Sequence, residues 1–205
     1  MLYLAQLKLG NNKSGQVHIN CKYKIYSDSS GYKGGIGASA ILYRGENIIK
    51  TLRYYLGTNT VYEAEGICVS MDLHLLNHLN RKVNDVVIMC LDSQAPIRAT
   101  ENQCLHAGHY LLDEIYNITE NLHTKQDSLL NRQEHAQASR ECGTWNGHKK
   151  GVVDLQLLWV PGHHDFVPNK RADEQAKKAA QDNSSAPKHL PPFLQKQIPH
   201  NISAI

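Results

Sequence analysis

Residues 22–57 read KYKIYSDSSGYKGGIGASAILYRGENIIKTLRYYLG, and this stretch decides the fold class. Polar and apolar residues alternate over 22–27, which is a strand period, and the run stops at Asp28. Asp28-Ser-Ser-Gly-Tyr-Lys-Gly-Gly35 is turn chemistry. Two more strand-like runs, IGASAILY over 36–43 and NIIKTLRYYL over 47–56, are joined only by Arg44-Gly45-Glu46. Three strands so closely connected predict an antiparallel meander.

Downstream the period changes. Gly57 breaks the pattern, and Thr60-Val-Tyr-Glu63 has the form of a capping box. Apolar or small residues at 64, 67, 68, 71, 75 and 79 then predict a helix to about Leu79. The apolar run VVIMCL over 86–91 suits a strand buried on both faces; it ends at Asp92, with a short helical stretch over 93–100. A stripe at 111, 112, 115, 118 and 122 predicts a helix over 109–123. From 125 to 151 periodicity disappears, and this segment reads as a loop or insertion. Residues 154–160 form another strand, Pro161-Gly162 turns the chain, and 169–180 is a final helix with Ala172, Ala176, Ala179 and Ala180 on one side. Beyond Gln181, NSSAPKHLPPFLQKQIP is linker-like. The order of elements describes a layered α/β or α+β domain over 21–182, with an N-terminal extension at 1–20 and a flexible Pro/Ser-containing tail at 183–205.

Composition narrows the function classes. A chain of 205 residues with 41% apolar residues can bury a core without covalent staples. No apolar run approaches the length of a membrane span, and 1–20 lacks the apolar centre of a signal peptide. Five cysteines, an odd number with no C-x-x-C pair, exclude a disulfide scaffold and suit a reducing, intracellular compartment. The net charge of +3 resides at the chain ends, because residues 25–181 carry 16 basic and 18 acidic side chains. The body therefore lacks the basic footprint of most nucleic-acid binders.

Three acids stand at element ends. Asp28 and Asp92 follow apolar strands, where ligand sites of α/β sheets gather, and Asp173 lies early in the last helix. Singly, each has an ordinary reading as a turn, cap or macrodipole residue. Together they would repel unless cations sat among them.

The ordered blocks Tyr26-Ser-Asp-Ser-Ser30, Thr60-Val-Tyr-Glu-Ala-Glu65, Leu91-Asp-Ser-Gln94 and Trp159-Val-Pro-Gly-His163 with Asn169-Lys-Arg-Ala-Asp173 resemble type 1 ribonuclease H. More narrowly, they look like the domains attached to reverse transcriptases of fungal non-LTR retrotransposons. The resemblance covers about 25–181. It implies a five-stranded mixed sheet, in which the antiparallel meander is joined by two parallel strands and flanked by helices. It also implies a catalytic set of Asp28, Glu65, Asp92 and Asp173 holding two Mg²⁺ ions, with Mn²⁺ as a substitute. His163 matches a loop histidine associated with proton transfer or product release. Asn59, Ser93 and Gln94 match positions that touch the substrate. Glu63 is assigned to the helix cap and Glu65 to the metal. Ser29, Pro168 and Lys170 depart from the family pattern, standing where Gly, Gly and Glu are common.

The implied activity is endonucleolytic hydrolysis of the RNA strand of RNA–DNA hybrids by a monomer. A reverse transcriptase is the implied partner in a parent element, with no membrane association. Two alternatives share the fold. One is a catalytically silent module that binds hybrid or double-stranded RNA; the other is an integrase-like DNA nuclease, against which the Gln94 and His163 blocks argue. Zinc binding through His106 and His109, or through His163 and His164, lacks a second pair of ligands.

Overall fold

The computed structural model describes residues 21–83, 85–97, 109–129, 153–160, 166–196 and 198. Five strands and three helices follow in the order β1 (Tyr23–Tyr32), β2 (Gly35–Arg44), β3 (Asn47–Gly57), α1 (Val61–Asn77), β4 (Val87–Leu91), α2 (His109–Ser128), β5 (Leu155–Trp159) and α3 (Val167–Ala180). Two 3₁₀ turns, Pro187–His189 and Pro192–Gln195, come after α3. The strands form one sheet ordered β3-β2-β1-β4-β5. β1, β2 and β3 pair antiparallel, while β4 lies parallel to both β1 and β5. The mixed five-stranded sheet implied by the sequence is the one observed.

Both faces of the sheet are covered. Val87, Met89 and Leu91 of β4 join the larger core with α1 and α2, while Ile88 and Cys90 join a smaller core that includes Ala172 of α3. This is strand alternation between two packed layers. α1 is buried along nearly its whole length from Glu63 to Leu76, between the sheet and α2. It starts where the capping box predicts: Glu63 N donates to Thr60 Oγ1, and the Glu63 carboxylate accepts from Thr60 N. α3 packs closely on β1 and β2 because Gly37 has no side chain. A Cβ there would lie 2.2 Å from Ala180 N and 2.5 Å from the Ala176 carbonyl oxygen.

Three expectations need correction. The turn expected over 28–35 contracts to Lys33 and Gly34, both in the left-handed region with φ of 46° and 83°. Ser29, Ser30 and Gly31 remain strand, paired with Ala38, Gly37 and Ile36. The helix expected to end at 123 runs to Ser128, so the loop expected from 125 does not begin there. Gln126 is a core-facing position one turn beyond Leu122; it is fully buried, accepting from Val83 N at 2.8 Å and donating to the Arg81 carbonyl at 3.2 Å. A polar side chain thus continues an apolar stripe.

The segment expected to be a flexible tail packs onto the body through residue 198. Ser185 N donates to the Arg53 carbonyl at 2.8 Å, Arg53 N to Ser185 Oγ at 3.0 Å and Tyr55 N to Ser184 Oγ at 2.8 Å. Leu190, Leu194 and Ile198 are buried in the larger core. His74 Nε2 of α1 lies 3.2 Å from the His189 carbonyl oxygen. Three apolar residues spaced among prolines are too few to show a period, yet they suffice to dock the segment. The expected extension at 1–20 and the 130–152 part of the expected insertion lie outside the described residues.

Candidate active site

The parallel pairing of β1 with β4 ends at Ser27 opposite Leu91. The next residues, Asp28 and Asp92, are therefore neighbours where the two chains part. β1 continues along β2, with Asp28 opposite Ser39. From β5, Trp159 Nε1 donates to the Asp92 carbonyl at 2.9 Å, and Val160 N donates to the Leu91 carbonyl at 2.8 Å. Ser39 also anchors α3: its Oγ donates to the Ala172 carbonyl at 2.7 Å, one residue before Asp173.

α1 crosses β1 in the opposite direction. Glu65, Cys68 and Asp72, at i, i+3 and i+7, share a helix face and meet Ser29, Asp28 and Ser27 in turn. Ser29 Oγ donates to Glu65 Oε1 at 2.7 Å, Cys68 Sγ to the Asp28 carbonyl at 3.2 Å and Ser27 Oγ to Asp72 Oδ2 at 2.9 Å. Asp72 is fully buried, and burial holds its carboxyl well above the usual range despite the Ser27 bond.

The electrostatics link the four acids. Burial raises the Asp28 carboxyl to about 9. The charge of Asp92, a hydrogen bond shared with Asp92 and the charge of Asp173 add to the rise, while the Ser29 N–H opposes it. Glu65 is raised to about 7, first by burial and then by Asp92, against hydrogen bonds from Ser29 and Ser93. Asp173 is one-third exposed and accepts from Lys177 Nζ at 2.7 Å. Asp28 thus feels Asp92 and Asp173, and Glu65 feels Asp92.

Glu63 lies apart from them. It is fully buried, with Oε2 accepting from Thr60 N and Thr60 Oγ1, and its charge contributes to raising the pKa of Tyr110 on α2. Ser93 and Gln94 are half-buried beside Asp92. Asn59 is buried, and its Nδ2 has no hydrogen-bond partner among the described residues. His163 and His164 lie outside the described residues, as does His106. Ser29, Ser39, Asp72 and Lys177 were not singled out from sequence for these contacts. Only the i, i+4 spacing of Asp173 and Lys177 was a readable signal. The Ser29 and Asp72 contacts depend on which face of α1 meets β1, and the Ser39 contact on how α3 lies on β2.

The donor set is carboxylate oxygen, which suits a hard divalent cation such as Mg²⁺ and leaves the cysteines unused. Two carboxyls sharing a hydrogen bond hold a proton between them, and a cation could replace that proton. Among the described residues no three His, Cys, Asp or Glu side chains are gathered to enclose an ion. Asp173 is drawn toward Lys177 and Glu65 toward Ser29. The residues fit such an ion in chemistry, with side-chain adjustment needed to close around it.

No protein-family model and no curated protein matches the sequence. Solved structures match its fold. The N-terminal RNase H domain of Rv2228c from Mycobacterium tuberculosis is 15% identical, with a TM-score of 0.53 over 79% of this chain and 95% of that one. RNase H1 from the halophilic archaeon Halobacterium salinarum NRC-1 is 16% identical, with a TM-score of 0.51 over 78% and 98%. LC11-RNase H1, solved in complex with an RNA/DNA hybrid, is 16% identical, with a TM-score of 0.53 over 78% and 98%. The chain has the ribonuclease H-like fold.

Proposed function

We propose that this ribonuclease H-like domain is an endonuclease that hydrolyses the RNA strand of RNA–DNA hybrids, with divalent cations held by Asp28, Glu65, Asp92 and Asp173. The observation that carries the reading is the adjacency of Asp28 and Asp92 where β1 and β4 part, with Asp173 near Asp28 and Glu65 near Asp92. A buried cluster of this kind destabilises a fold unless cations offset it. Two Mg²⁺ ions, or Mn²⁺ in their place, would neutralise charge at the scissile phosphate and acidify the attacking water.

The chain's own residues have separate tasks. Asp28 is buried at the centre, with Ser29 N–H on its carboxylate and Cys68 on its carbonyl. Asp92 is steadied through its carbonyl by Trp159. Asp173 is more exposed than Asp28 or Glu65, which leaves it open to an incoming phosphate. Ser93, Gln94 and Asn59 supply polar groups to the hybrid, with RNA distinguished from DNA by its 2′-hydroxyls. The hybrid in the complex of LC11-RNase H1 supports this substrate class. The resemblance of the four ordered blocks to domains attached to reverse transcriptases supports a hybrid made by such an enzyme in a parent element.

Cleavage of a labelled RNA strand in a hybrid, with and without Mg²⁺, tests the reading. Cleavage should require the metal and leave a 3′-hydroxyl and a 5′-phosphate. Glu65→Gln should abolish cleavage with the fold retained. Glu63→Ala should keep activity while losing about 0.5–2 kcal/mol of stability with the cap. Equal cutting of an all-DNA duplex would replace this reading with the integrase-like one. Hybrid binding without cleavage in either metal would identify a silent module.

A further inference from the structure

We infer that Ser29 is a positioning residue whose hydroxyl presets Glu65 for a divalent cation, an inference that rests on the metal-dependent reading above. Ser29 touches two of the proposed ligands by different atoms. Its N–H donates to Asp28 Oδ1 at 2.8 Å, and its Oγ donates to Glu65 Oε1 at 2.7 Å. The strand period turns Ser27 and Ser29 toward α1 and Asp28 toward the other face. Asp28 and Glu65 therefore come from opposite sides of β1, and Ser29 connects them.

Glycine, the residue common here in the family resembled, would keep the main-chain bond and lose the side-chain one. The Oγ–Oε1 distance is in the short range of hydroxyl-to-carboxylate bonds, which are the stronger class. Ser29 engages only one carboxylate oxygen through this bond. The hydroxyl of Ser93 also reaches Glu65, while its oxygen accepts from Ala95 N at 3.3 Å. Hydrogen-bonded partners of metal ligands typically account for about 10–100-fold in metal affinity.

Calorimetric titration of Mg²⁺ into the full chain tests this with the variants Ser29→Ala, Ser29→Thr, Asp28→Asn and Glu65→Gln, and with Ser29→Ala combined with Glu65→Gln. Ser29→Ala should bind Mg²⁺ about tenfold more weakly, at the low end of that range because Ser93 remains. Ser29→Thr, which keeps the hydroxyl on a strand, should bind nearly as the parent does. In the Glu65→Gln background, Ser29→Ala should cause no further loss. Parent-like affinity in Ser29→Ala, or an equal loss in both backgrounds, overturns the role of Ser29 alone. If the parent chain takes up no more Mg²⁺ than Asp28→Asn, the metal-dependent reading fails and this inference falls with it.

Discussion

Asp28 burdens the fold once it ionises. Its folded pKa of about 9 lies above the ordinary 3.8, so the folded chain keeps a proton that the unfolded chain releases across that interval. Its stabilising contribution is complete below about pH 4 and is lost as the pH rises toward 9. Glu65 behaves alike between 4.5 and about 7. In metal-free buffer, Asp28→Asn should therefore melt above the parent at pH 8, with the difference shrinking toward pH 4. Each pKa unit corresponds to about 1.4 kcal/mol, and each kcal/mol to about 2–4 °C in a chain of this size. Thermal melts at several pH values check this, and a constant offset would contradict the linkage. Asp28 and Asp92 were legible because each closes a strand-like run, alternating before Asp28 and apolar before Asp92. Asp72 was not, because it interrupts no period, and its burial depends on how α1 lies across β1.

At the level of elements, contact between α3 and the sheet depends on an absent side chain. The groups that a Cβ at Gly37 would strike are backbone atoms of α3, which cannot turn aside as a side chain would. Gly37→Ala should cost about 1–3 kcal/mol or more through overpacking, measured by denaturant unfolding. It should also displace Asp173, because Ser39 holds the carbonyl of the preceding residue, Ala172, in the same helix. Near-parental stability would mean that α3 can shift without penalty. The alanines of α3 and the apolar stripe of α1 were readable as periods. The end of α2 was not, because Gln126 satisfies its amide with two main-chain groups and thereby occupies an apolar position. The strand character of Ser29 to Gly31 was hidden for a related reason. Pairing with β2, rather than intrinsic preference, keeps those small polar residues extended.

For the whole molecule, the segment after α3 belongs to the folded body. A chain ending at residue 182 would lose the buried Leu190, Leu194 and Ile198. Loss of even one such leucine side chain costs about 2–5 kcal/mol. The shortened chain should melt well below the full chain or lose its cooperative transition; an unchanged melt would show that the docking contributes nothing. The sequence concealed this because prolines and short 3₁₀ turns bury side chains without a helical or strand period. The two serines at 184 and 185 also occupy main-chain groups on the open side of β3. Unpaired strand edges recruit other chains, and Ile48 and Ile49 are exposed farther along the same strand. Because the ribosome makes this segment after every strand, the edge it covers stays open while the rest of the sheet can already pair. At about 5–20 residues per second that interval lasts on the order of a second, and it is when the nascent chain is most open to capture by its neighbours.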